Sequence, residues 1–222
     1  MKIYDEYDSN KYIEEKENYI EAKGGDGTLI RAIHKFKDSN KPFFGIAAGT
    51  ENFLMNPESI ILPTAVTKKL QLLDIEIEFL EDDILTTETV QAFNDIAIGN
   101  FNSWINFNCY HDDNILGDFK GSGIIVSTAQ GSTGSNKNNN GTILPLCSNN
   151  WSITGIMTNR RINYVLDNIM LQIDCNSREN IMLYIDGSHK IFNNIKRIII
   201  TKGSYVDVIF NDIQIFKEKR RC

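Results

Sequence analysis

Tyr19-Ile20-Glu21-Ala22-Lys23-Gly24-Gly25-Asp26-Gly27-Thr28-Leu29-Ile30-Arg31-Ala32-Ile33 is the stretch that decides the fold of this chain. Tyr19 to Ala22 reads as a strand, and the glycines with Asp26 form a turn. Leu29, Ile33 and Phe36 then recur at helical spacing, with Ala32 beside them. A strand that runs through a glycine turn into a helix brings backbone N–H groups and the positive end of the helix dipole up to a phosphate. Asp26 puts a carboxylate where that phosphate would sit. It repels an anion unless a metal ion intervenes or the acid takes a proton during chemistry. Glycines and an acid together point to phosphoryl transfer more than to simple anion binding. Read alone, Asp26 is equally a helix cap or turn residue.

Upstream, Lys2-Ile3-Tyr4 reads as a short strand. Asp8-Ser9-Asn10 offers N-caps for a charged helix running through Glu17. Downstream, Pro42 restarts the chain and Phe43 to Ala47 reads as a buried strand. This alternation favours a parallel α/β sheet, in which ligands bind beyond the carboxyl ends of the strands. Gly24-Gly25 and Ala48-Gly49-Thr50 fall at those ends. The character changes after Pro57 and Pro63. Thr64 to Leu73 reads as one more helix. From Ile75 onward, runs rich in Ile, Val, Phe and Thr predict antiparallel strands: Ile75 to Phe79, Ala92 to Ile98, Gly123 to Ser127, Ile195 to Thr201 and Val206 to Phe210. The expected organisation is a small N-terminal parallel α/β domain over 1–63, a β-rich domain over 64–210 and a basic tail over 211–222.

Composition narrows the function classes. The chain has 222 residues, 41% of them hydrophobic, which suits one large or two small domains. A net charge of −6 argues against a nucleic-acid binder that relies on general positive charge. Lys217 to Arg221 is basic but short, and reads as a solvated tail. Cys109, Cys147, Cys175 and Cys222 are scattered, as are His34, His111 and His189, so no metal site is assignable from spacing. The start of the chain turns acidic at once, and no apolar run spans a bilayer. The expectation is a cytoplasmic protein with neither nucleic acid nor membrane as partner.

A second Gly/Ser/Thr-rich stretch runs from Lys120 to Ser135. A strand, Ile124 to Val126, enters a loop dense in hydroxyls and glycines, groups that suit a nucleotide pocket. Asn136-Lys137-Asn138-Asn139-Asn140-Gly141 reads as a flexible hairpin tip, and Asp186-Gly187 as a hairpin turn. Asn94-Asp95 sits at a strand end. Trp104 and Trp151 read as core or interface residues, and Arg160-Arg161 as an exposed basic pair.

Together these segments resemble the NAD kinases, which use ATP or polyphosphate. Gly24 to Thr28 matches the family's GGDGT signature, which is shared with the related diacylglycerol and sphingosine kinases. Gly45-Ile46 through Gly49-Thr50-Glu51-Asn52-Phe53-Leu54 resembles its second glycine motif. Asn94-Asp95 stands where the family has Asn-Glu. Ser127-Thr128-Ala129-Gln130-Gly131-Ser132-Thr133 resembles its S-T-P-T-G-S-T segment, and Tyr184-Ile185-Asp186-Gly187 its late Asp-Gly turn. The resemblance spans most of the chain. It implies an α/β plus all-β fold and phosphoryl transfer from ATP, or polyphosphate, to the adenosine 2′-hydroxyl of NAD.

At matched positions the resemblance implies Asp26 as general base and Gly24, Gly25, Gly27 and Thr28 as the phosphate-facing turn. It implies nucleotide contacts at Asn52, Phe53, Asn94, Asp95, Lys120, Ser122, Thr128, Gln130, Thr133, Gly134, Ser135 and Asn138. Magnesium with ATP, NAD as substrate and a homo-oligomer, dimer or tetramer, are implied with them. The chain departs from the family in places. Ser122 replaces an aspartate, Gly134-Ser135 removes a stacking aromatic, Asp95 is shorter than Glu, and Glu51 adds negative charge. These departures leave two alternatives: a nucleotide-sensing protein without turnover, and a lipid kinase, whose G-T-x-N turn Gly49-Thr50-Glu51-Asn52 resembles.

Overall fold

The computed structural model describes residues 2–5, 8–48, 52–100, 102–175, 180–192 and 194–212, with backbone alone at 3–5, 8–10, 189 and 190. The chain divides into two compact units, one of residues 1–70 with 205–222 and one of residues 71–204.

The first unit opens with β1 (Lys2–Asp5), β2 (Asp8–Glu15) and β3 (Ile20–Gly24), each antiparallel to the next. The helix α1 (Asp26–Phe36) leads to β4 (Phe43–Ala47), which lies parallel to β3 with Ile20 opposite Phe43 and Ala22 opposite Gly45. Leu29, Ile30, Ala32 and Ile33 are buried where α1 packs on β3 and β4. Each large aliphatic side chain so removed from water contributes about 1.5–3 kcal/mol. Asp26 in the first turn and His34 and Lys35 in the last complement the helix dipole.

The rest of the chain is almost entirely β. In order come β5 (Val66–Glu81), β6 (Ile84–Ala92), β7 (Asp95–Gly99), β8 (Ile105–His111), β9 (Asn114–Gly121) and β10 (Gly123–Ser127). A short helix, α2 (Ser135–Asn138), precedes β11 (Trp151–Ile156), β12 (Asn163–Leu166), β13 (Met170–Cys175), β14 (Ile181–Ile185), β15 (Ser188–Phe192) and β16 (Ile195–Phe210). In the second unit, one sheet runs β6-β5-β16-β13-β8-β9 and the other β12-β11-β10-β7-β14-β15. Their inward side chains share one core that includes Ile75, Ile98, Phe107, Val126, Trp151, Ile173, Leu183 and Ile198. The last residues of β16 belong to the first unit, where Val208 and Ile209 pair in parallel with Phe43 and Phe44 of β4.

Asn56 ties that first unit together. Its side-chain amide donates to the carbonyls of Gly45 and Ile209, at 3.0 Å each, and its Oδ1 accepts the Asn211 N–H at 2.8 Å. It is fully buried. One side chain therefore joins β4 to the end of β16.

The expected α/β plus β-rich architecture is present, but the first portion is mixed: β3, β4 and the end of β16 are parallel, whereas β1, β2 and β3 are antiparallel. Local elements differ. Asp8 to Glu15 is the strand β2, not a helix. Ile13 is buried opposite Ala22, and ladders to β1 and β3 on both sides outweigh the local capping signals. Thr64 to Leu73 is likewise no helix. From Val66 it is the opening of β5, whose later half pairs with β6 from Leu73 opposite Ala92 to Glu81 opposite Ile84. Ala92 to Ile98 is broken at Phe93-Asn94, and the two late runs Ile195 to Thr201 and Val206 to Phe210 are one strand. Gly49, Thr50, Glu51, Cys222 and the basic residues Lys217 to Arg221 lie outside the described residues.

Candidate functional site

In the first unit the glycine segment links β3 to α1. β3 ends at Gly24, Gly25 is the N-cap of α1 without a side-chain cap, and Asp26 is the first helical residue. Gly24 has φ +154°, and a Cβ there would stand 2.8 Å from the Cβ of Thr28. Only glycine fits that position. A Cβ at Gly27 would meet nothing within 4 Å among the described residues. Thr28 is buried, and its N–H donates to the Gly25 carbonyl at 2.9 Å. The half-buried Asp26 carboxylate accepts the Phe53 N–H on Oδ2 and the Leu54 N–H on Oδ1, both at 2.9 Å. The loop after β4, with Asn52 and Phe53, is thereby fastened to the turn.

The second unit carries the other group of candidate residues. Asn94 and Asp95 form the turn from β6 into β7, and the Asp95 side chain is buried. Asp186, in the turn from β14 to β15, sends its carboxylate to this segment. It accepts the N–H of Phe93 at 2.7 Å, of Asn94 at 2.7 Å and of Asp95 at 3.1 Å. The Asn94 side-chain oxygen is buried and accepts no hydrogen bond from the described residues. Burial, with the charge of Asp186 adding to it, pushes the Asp95 carboxyl up to about 7, while a hydrogen bond from Ser135 pulls the other way.

The hydroxyl-rich loop wraps the same turn. Thr128 donates its Oγ1–H towards the carbonyls of Phe93 and Asn94, each at 2.9 Å, and Gln130 donates to Phe93 and Gln71 at 2.6 and 2.7 Å. Both side chains are buried and hold the loop to the backbone of the turn. Gly131 packs so closely that a Cβ would stand 2.6 Å from the Cα of Asn94. Thr133 is buried, while Gly134, Ser135 and Asn138 are exposed. Lys120 and Ser122 are elsewhere. They precede β10, whereas Thr128 follows it, a separation of about 17 Å for a strand of this length. Lys120 is exposed and Ser122 is buried, its N–H donating to Ile156 at 3.0 Å.

The asparagine run is not a hairpin tip. Asn136 lies in α2 and is fully buried; it donates to the Ser132 and Thr142 carbonyls and accepts from Ser152 and Thr154. Asp186-Gly187 is the expected hairpin turn, with φ +50° and +81°. Sequence reasoning did not find the bonds Asp186 makes, nor the anchor at Asn136. The one available signal was an acid at a turn position that asparagine fills equally well. An open, polar cavity of about 480 Å³ lies beside Asn139, Asn140, Thr158, Arg161 and Asn163. Trp151 is buried and Trp104 half exposed, and both Arg160 and Arg161 are exposed. Among the described residues, no group of three His, Cys, Asp or Glu is placed to hold a metal ion, and no helix is long and apolar enough to cross a membrane.

Comparison with known proteins gives a consistent result. No family model matches the chain. The NAD kinase of Rickettsia prowazekii is 30% identical over 207 residues, covering 85% of this chain and 78% of that protein. Among solved structures, the yeast NADH kinase complexed with NADH superposes with a TM-score of 0.78 at 19% identity, over 90% of this chain and 64% of that one. The NAD kinase from Archaeoglobus fulgidus in complex with ATP superposes with a TM-score of 0.69 at 20% identity, over 90% of this chain and 79% of that one. These two likenesses are of fold.

Proposed function

Because the chain belongs to the NAD kinase family, we propose that it transfers a phosphoryl group from ATP to the adenosine 2′-hydroxyl of NAD, giving NADP. Polyphosphate is the alternative donor. The observation that carries this reading is the glycine turn with its Asp26 carboxylate fixed on two backbone amides. A secondary alcohol is a weak nucleophile, and a fixed carboxylate within reach can take its proton as the new O–P bond forms. Gly24, Gly25, Gly27 and Thr28 shape the backbone that faces phosphate, next to Asn52 and Phe53.

The dinucleotide contacts fall to Asn94, Asp95, Thr133, Gly134, Ser135 and Asn138. Thr128 and Gln130 serve by holding the loop that carries them. Lys120 and Ser122 stand a strand's length away, so a contact from them fits a site completed by a second copy of the chain. A homo-oligomer in the cytoplasm is part of the same proposal. The described residues do not fit a resident magnesium site. We assign that ion to the ATP phosphates, as part of the donor.

The test is NADP formation by the purified protein with NAD, ATP and magnesium, read by an NADP-specific dehydrogenase. NADP should accumulate with time and enzyme. The reading is wrong if neither NAD nor NADH is phosphorylated by ATP or by polyphosphate. NAD binding without turnover in that experiment would put a sensing protein in its place.

A further inference from the structure

We propose that Asp186 is a positioning residue for the dinucleotide: its carboxylate fixes the Phe93-Asn94-Asp95 turn and, through it, the Asn94 and Asp95 side chains. The inference rests on the reading of Asn94 and Asp95 as dinucleotide contacts. Three consecutive backbone N–H groups converge on the one carboxylate at 2.7, 2.7 and 3.1 Å. The Asp186 N–H donates back to the Asp95 carbonyl at 3.1 Å, which closes the junction from the other side. The turn cannot slide along its strand without breaking several of these bonds together.

A hairpin alone does not ask for this residue. Asp186 and Gly187 both have positive φ, as a two-residue hairpin turn of this type requires. Asn-Gly satisfies that geometry as well as Asp-Gly does. What asparagine cannot do is accept three amides. It has one acceptor oxygen, and its NH2 group would face an N–H. The carboxylate is therefore explained by the turn it holds, 91 to 93 residues away in sequence, and not by the turn it occupies.

Asp186 also acts on Asp95 through its charge. The groups facing the Asp95 carboxyl are Asp186 from the β14–β15 turn, Ser135 of α2, Gly134 with 3.9 Å from its would-be Cβ to Asp95 Oδ2, and Ser127 opposite on β10. Asp186 is the charged member of that set, and it raises the pKa of Asp95. Removing the charge moves the titration of Asp95 to lower pH.

Asp186→Asn discriminates, because it keeps a favoured hairpin turn while breaking the clamp. The expected result is a KM for NAD raised about tenfold or more with kcat changed less, and a bend in the KM–pH profile moved to lower pH. A merely structural role would lower the yield of folded enzyme and leave both the KM of the folded fraction and that bend in place. An unchanged KM with an unchanged profile therefore overturns the proposal while leaving the kinase reading intact. If the wild type turns over no NAD, calorimetry decides. Weaker NAD binding by the variant supports the clamp, equal binding overturns it, and no NAD binding by the wild type overturns both readings. Should Asp186→Asn not fold, Asp186→Gly gives the hairpin another favoured pair and is read the same way.

Discussion

Asp26 and Asp186 do the same thing in two regions of the molecule, and the difference between them is instructive. Each is a carboxylate in a turn, and each accepts consecutive backbone amides from a distant segment. Asp26 takes Phe53 and Leu54; Asp186 takes Phe93, Asn94 and Asp95. Around Asp26 the turn is lined by glycine, and among the described residues nothing stands within 4 Å of a Cβ added at Gly27. Around Asp186 the amides outnumber the oxygens, and a second carboxyl, Asp95, is buried close by. Asp26 and Asp186 are both half-buried, and beside each stands a glycine, Gly27 or Gly187, at which an added Cβ would meet no described atom within 4 Å. What separates them is what they hold: two amides at Asp26, three amides and the neighbouring Asp95 carboxyl at Asp186.

The largest expected effect tests whether Asp26 is more than a clamp. Asp26→Asn should lower kcat by roughly 10²- to 10⁴-fold, the usual worth of a general base, in a protein that still unfolds cooperatively. Full activity in that variant would reduce Asp26 to the structural status of its counterpart and end the contrast.

The next effect isolates the enclosed carboxyl. The Asp95 pKa stands at about 7 in the folded protein, with burial as the main cause, against about 3.9 in an unfolded chain. The folded state then binds this proton more tightly than the unfolded state does. Its contribution is complete below about pH 4 and is lost as pH rises through about 7. Unfolding free energies measured across that window should fall by roughly 4 kcal/mol more in the wild type than in Asp95→Asn. Parallel curves would mean that Asp95 is better solvated than its burial indicates.

Two glycines follow, one from each region. Gly131→Ala drives a Cβ into the Asn94 backbone, and Gly24→Ala meets Thr28 at an unfavourable φ. Each should cost roughly 3 kcal/mol in urea unfolding. Wild-type stability in either would show that its turn relaxes more easily than the packing implies.

The smallest effect is opposite in sign. Gly27→Ala adds a methyl in open space on a helical residue and should stabilise by about 0.5–1 kcal/mol. If the same variant loses NADP formation, the open side of the turn is kept for a ligand. If activity is retained, that space has no role in binding.

What was legible in the sequence was local. Tyr19 to Phe36 declared itself because the glycine turn and the 3.6-residue period lie within a few residues of each other. Gly123 to Ser127 did so because a fully buried strand is an unbroken apolar run. Asp8 to Glu15 was misread as a helix because its strand character comes from partners at Lys2–Asp5 and Ile20–Gly24, and no short window contains both. Val66 to Leu73 failed in the same way as part of a longer strand. At the site, Asp26 was visible in its motif, whereas the clamp at Asp186 was hidden. Its partners are main-chain N–H groups, which carry no residue identity for a sequence to display. Asn136 was hidden for another reason: its polar neighbours made it look solvated, while Ser132, Thr142, Ser152 and Thr154 enclose it.

The bonds of Asn56 to Ile209 and Asn211 have a consequence for the order of events on the ribosome. The second unit is one uninterrupted stretch, 71–204, so all of it has been synthesised before residue 205 is added. The first unit starts earlier and finishes later. Its β4 must wait for Val208 and Ile209 before the last parallel ladder can form, about ten seconds or more at ordinary rates of synthesis. Through that interval the glycine turn, translated early, belongs to the unit completed last, and Asp26 sits beside a sheet that still lacks the strand joined to β4.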